Sequence, residues 1–236
     1  MRVTTAVLAV LALLGATALA AELSPGLRTL IEDFQSHRRV AIGYLRTQNG
    51  DLGAIEIERL RDGLIAGRGR VSQPGQIDMA VAVAIARTES LVDGALKAID
   101  GGDIERSRVL LEEAGKPLDA WRKDNGIRLF SDCIAEISAA YGALDAHRLN
   151  APDLTNIATG ARVVASTDGV LLALDRCERE APEATRQGQE FRRLFDGMRA
   201  SLRQLPEAVA VRDGALLYRL LIEQRSFEQL LSFRFG

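Results

Sequence analysis

Apolar residues recur every three or four positions along most of the chain, the rhythm of helices that each bury one face. Leu27, Leu30, Ile31, Phe34, Ala41 and Leu45 trace the first such stripe and predict a helix over 24–48. Ser24-Pro25 gives it a capping hydroxyl followed by proline at the first helical position. Asn49-Gly50 should end it, with Asp51 capping a second helix that runs to about Gly67 through Leu52, Ile55, Leu60 and Leu64. Gly67-Arg68-Gly69-Arg70 and Ser72-Gln73-Pro74-Gly75 then read as a linker. Further stripes predict helices over 76–100, 103–123, 129–149 and 153–179. A seventh should start at Ala181-Pro182-Glu183 and an eighth at Pro206-Glu207. Pro117 should kink or split the fourth, because proline removes an intrahelical hydrogen bond. No stretch alternates convincingly at period two, so the predicted class is all-α, with eight helices in four antiparallel hairpins.

The hairpins share a written pattern, a glycine two turns before the loop and an acidic residue after it. The pairs are Gly43 with Asp51, Gly94 with Asp103, Gly142 with Asp153 and, more weakly, Gly197 with Glu207. A helix-interior glycine costs about 1 kcal/mol relative to alanine, so four in register point to close approach of helix backbones. The strong stop at Asp124-Asn125-Gly126 divides the pattern two hairpins and two. Two packed four-helix bundles over 21–124 and 127–236 are expected; a short α-solenoid is the alternative.

Composition changes this picture at the N-terminus first. Arg2, the apolar run Ala6 to Leu14 and the small-x-small sequence Ala18-Leu19-Ala20 read as a signal peptide over 1–20, cleaved near Ala20/Ala21. That predicts a periplasmic protein, with no other segment apolar enough to span a membrane. Without Arg2, 29 basic residues face 32 acidic ones, a balance that argues against nucleic acid as partner. Only three of the basic residues are lysine, so nearly all positive charge is arginine, which is read as codon composition ahead of phosphate binding.

Cys133 and Cys177 in an exported chain point to one disulfide. A helical pair turning at Asn150, however, would set Cys133 opposite about residue 169, ~12 Å short of Cys177. The two histidines, His37 and His147, belong to no CxxCH, HExxH or Glu-x-x-His motif, and no P-loop, paired CxxC or GxSxG occurs. Glu56 with Glu58, and Glu112 with Glu113, are the carboxylate pairs a glycosidase could use, but each sits in a charged helical run. No catalytic constellation emerges. His147 and Met198 are the best pair for a noncovalent haem or a copper ion, being predicted at similar heights in one bundle. Phe227, Phe233, Arg234 and Phe235 concentrate aromatic and arginine side chains at the chain end, as a partner-docking element would. The leading expectation is an exported, non-enzymatic helical protein that binds another periplasmic protein or acts as a scaffold. A cofactor- or small-ligand-binding bundle is the alternative.

Overall fold

The computed structural model describes residues 24–71 and 79–236. The signal segment, its cleavage point and the predicted linker Ser72–Gly75 lie outside the described residues. Every regular element among those described is an α-helix, and eleven occur. They are α1 (Pro25–Arg46), α2 (Gly50–Val71), α3 (Met79–Asp100), α4 (Ile104–Ala114), α5 (Lys116–Asp124) and α6 (Phe130–Leu149). After them come α7 (Ile157–Glu180), α8 (Glu183–Gln187), α9 (Gln189–Leu202), α10 (Leu205–Ala210) and α11 (Gly214–Phe235).

The excess over eight comes from breaks within predicted helices. Gly115 and Pro117 split the fourth into α4 and α5, as the proline implied. Gly188 separates the short α8 from α9, and a turn over 211–213 cuts α10 from α11. In the other direction, Gly67-Arg68-Gly69-Arg70 is helical rather than linker. The reason is packing: the missing Cβ of Gly67 lets the Leu30 side chain lie against the α2 backbone.

Two closed rings result. α1 packs on α2, α2 on α3, α3 on α4, and α4 back on α1; α6, α7, α9 and α11 close in the same way. Each ring encloses its own apolar cluster, the first built around Ile31, Leu45, Ile57, Leu60, Ile85 and Leu111, the second around Ile134, Ile137, Leu174, Phe191, Phe195 and Met198. This closure of helices on themselves is compatible with helical bundles.

Three of the four hairpin turns are built alike. Gln48, Gly102 and Arg212 take positive φ, and the next residue's N–H reaches back to the carbonyls of Tyr44, Ala98 and Ala208. That next residue (Asn49, Asp103 or Asp213) then caps the following helix by accepting from the N–H of Leu52, Arg106 or Leu216. One polar residue thus closes one helix and opens another. Asp103 matches its predicted role. Asp51 does not: it lies inside α2, and Asn49, two residues earlier, makes the cap. Glu207 sits in the first turn of α10, and the fourth cap is Asp213.

The α6–α7 turn differs. Asn150 is extended, Asp153 accepts from the N–H and hydroxyl of Thr155, and Asn156 caps α7. Asp153 is therefore a turn residue and not the helix cap. The longer connection shifts the register of α7 against α6 and removes the geometric obstacle to the disulfide. Cys133 and Cys177 are bonded, with Cα atoms 5.4 Å apart. Closing a loop of 44 residues stabilises the fold by about 4 kcal/mol in the chain-entropy picture.

Among the described residues α7 contains a stretch long and apolar enough, by length and composition alone, to cross a membrane, a test that a core helix also passes. The mean hydropathy of 1.4 is reached over an 18-residue window of this 24-residue helix. In the fold its apolar face (Val163, Val170, Leu174 and Cys177) is buried in the second cluster, while Arg162, Asp168, Asp175 and Arg176 stay exposed.

Candidate functional site

Two arginine-centred contacts join the bundles, and they differ in how the charge is met. The first lies where α5 hands the chain to α6. Arg122 is 2 % exposed and donates to both carboxylate oxygens of Asp132, to Asp119 and to the carbonyl of Ile127. Asp132 also accepts the N–H of Leu129, fixing the first turn of α6. Gln35 of α1 extends the network, donating to Asp119 and accepting from the Ser131 hydroxyl. Burial alone would raise the Asp132 carboxyl, but the Arg122 and Leu129 hydrogen bonds outweigh it and hold the group below its ordinary range. This contact is a lock of paired charges, although the Nε of Arg122 is itself enclosed without a hydrogen-bond partner.

The second lies between α1 and α11. The first stripe of α1 faces its own bundle, while Arg38, Arg39, Gly43 and Arg46, with the edge of the core residue Ile42, recur three and four residues apart along the side that faces α11. α11 answers with Glu228, Gln229, Ser232 and Phe233 at the same spacing. Between them is a cleft of about 710 Å³, within the range of small-molecule sites. Arg39 donates to the carbonyls of Phe233 and Arg234, both at 3.4 Å, a cation placed at the negative end of α11. Beyond Arg39 a smaller recess of about 190 Å³ lies against Phe130, Ser131, Arg234 and Phe235.

The electrostatics of the cleft are unbalanced. Arg46 pairs with Glu112 at 3.1 Å, but among the described residues neither Arg38 nor Arg39 has a carboxylate within ion-pair distance. Burial lowers the Arg38 guanidinium, against weaker opposite pulls from Asp119 and Glu112. Burial also pushes Arg39 down to about 10, and the adjacent Arg38 adds repulsion, so both are charged at neutral pH. Arg38 packs beside Gly115 and near the Phe34 ring, with its Nε sealed from solvent and without a hydrogen-bond partner. The one carboxylate in the cleft, Glu228, accepts hydrogen bonds from the hydroxyls of Ser138 and Ser232 at 2.6 and 2.8 Å.

The predicted docking tail is the second half of α11 and is largely used inside the molecule. Phe227 fills the notch at Gly197, where a Cβ would come within 2.6 Å of its ring. Phe235 packs on Phe130 and Phe191, with centroids 6.4 and 5.5 Å apart. Arg234 pairs with Glu190 at 3.0 Å. Phe233 covers Gly43 and remains 41 % exposed, forming one lip of the cleft. The recurring glycines accordingly do something other than bring helix backbones together: Gly43 and Gly197 seat phenylalanine rings of α11. Gly94 makes only ordinary contact with Leu110, and nothing lies within 4 Å of a Cβ placed at Gly142.

His147 and Met198 are not brought together. Met198 is sealed in the second core, whereas the His147 ring lies 3.5 Å from the Ser166 hydroxyl of α7, with Arg162 nearby. Their helices α6 and α9 pack chiefly on α7 and α11, on opposite corners of the ring. No group of three or more His, Cys, Asp or Glu side chains suited to a metal occurs among the described residues. His37 hydrogen-bonds Glu56 at 2.9 Å, and Glu112 and Glu113 pair with Arg46 and Lys116. Sequence reasoning passed over the α1 arginines, although Arg39 and Arg46 stand two helical turns apart off the apolar stripe; setting the arginine excess down to composition hid them. No family model, curated protein or solved structure matches this chain, so the functional reading rests on its own geometry.

Proposed function

We propose that this is a binding protein of the exported compartment, a helical scaffold whose working surface is the α1–α11 cleft. The observation that carries the reading is the pair of half-buried, uncompensated cations at Arg38 and Arg39. Taking a cation out of water costs free energy unless an opposite charge meets it, and elsewhere at the bundle junction Arg122 has two such partners. A cleft that leaves two cations unmet is suited to receive their counterpart from outside. The N-terminal Arg2, its apolar run and the Cys133–Cys177 bond support an oxidising, periplasmic location.

Native mass spectrometry of the protein from its own source tests the reading. The wild type should carry an added mass that Gln229→Trp, which fills the cleft from an exposed position on α11, expels. An unloaded wild type, or the same load on both proteins, contradicts it.

A further inference from the structure

We infer that the α1–α11 cleft recognises an oxyanion, a carboxylate or phosphate, borne on a small molecule with an apolar body. This rests on the binding role proposed for the cleft and names the chemistry of its occupant. Arg38 and Arg39 are consecutive on α1 and both line the cleft. The Nε of Arg38 is enclosed and its Cζ and Nη1 lie against Gly115, so Arg38 contributes chiefly its charge to the cleft, while Arg39 is the arginine whose donors reach the α11 wall. Arg39 is tethered only by long bonds to the last carbonyls of α11, which an incoming anion would outcompete. Guanidinium groups bind carboxylate and phosphate through paired hydrogen bonds, and these strengthen in a partly desolvated site.

The remaining walls select for the rest of the ligand. The exposed Phe233 ring, with the edge of the core residue Ile42, gives an apolar surface beside the cations, and among the described residues the Gln229 amide makes no hydrogen bond. The opposing charges are Glu228 in the cleft, already held by two serine hydroxyls, and Asp119 and Glu112 behind Arg38. They limit the site to a small number of negative charges and disfavour a polyanion.

Calorimetric titration with inorganic phosphate, benzoate and phenyl phosphate separates the sources of the oxyanion. Phenyl phosphate or benzoate should bind more tightly than inorganic phosphate, because only they use Ile42 and Phe233; whichever of the two prevails identifies the head group. Replacing both cations, in Arg38→Gln with Arg39→Gln, should weaken binding at least about tenfold. Gln229→Glu, on an exposed position, should weaken it as well and guards against a folding defect in the double variant. Absence of binding to the wild type, or binding that ignores all three substitutions, overturns the inference. If the native load is nonetheless expelled by Gln229→Trp, the binding role stands and the occupant has other chemistry.

Discussion

Arg122 and Arg38 are both partly or wholly withdrawn from water at the seam between the two bundles, yet one is surrounded by carboxylates and the other is not. Around Arg122, Asp119 and Asp132 supply the negative charge, and Gln35 ties Asp119 to Ser131 from the neighbouring helices. At Arg38 the same residue type lies against Gly115 and Phe34, its Nε enclosed without a partner as that of Arg122 is, but the nearest carboxylates act only from beyond ion-pair reach. A buried cation with its counter-charges in place is structural. On the proposed reading, the half-buried one without them awaits a counter-charge from a ligand.

The largest effect should come from breaking the lock. Arg122→Gln strands Asp132 and Asp119, and denaturant unfolding should show a loss of about 3 kcal/mol. The pH dependence has a definite sign. The Asp132 carboxyl is held below its ordinary value of 3.8, so the pair stabilises fully above that pH and the contribution fades as pH falls through the lowered value. The stability gap between wild type and Asp132→Asn should therefore be constant near neutrality and shrink below about pH 4.

A smaller loss is expected at the seat of α11. Gly197→Ala drives a methyl group into the Phe227 ring and should cost about 2 kcal/mol in the same measurement. Because it displaces the helix that forms one wall of the cleft, it should also weaken phenyl phosphate binding. The smallest effect sharpens the comparison most. Arg38→Gln removes a desolvated, unpaired charge, so stability without ligand should stay within about 1 kcal/mol of wild type or rise. The same substitution at the two arginines thus has opposite consequences.

Periodicity made the bundles legible because each helix buries a single stripe, and the stop at Asp124-Asn125-Gly126 marked the seam between them. Turn chemistry was legible only in part. Asp103 was recognised as a cap, but Asn49 and Asp213 do the same work with a neighbouring acid in view, and the positive φ of Gln48 and Arg212 carries no glycine to announce it. The disulfide register depended on where the α6–α7 turn closes, a matter of a few residues that apolar spacing does not set. Glycines 43 and 197 and the terminal phenylalanines were each noticed. That they fit together depends on α11 returning across both bundles, a long-range contact that no local pattern encodes. The cleft was illegible for the same reason, since its two walls are nearly two hundred residues apart.

The most direct test is nuclear magnetic resonance of the arginine Nε–Hε groups during titration with phenyl phosphate. The signals of Arg38 and Arg39 should move together and saturate while that of Arg122 stays in place. Movement of other arginines with Arg38 and Arg39 unaffected, or no movement at all, would contradict the proposed role of the cleft.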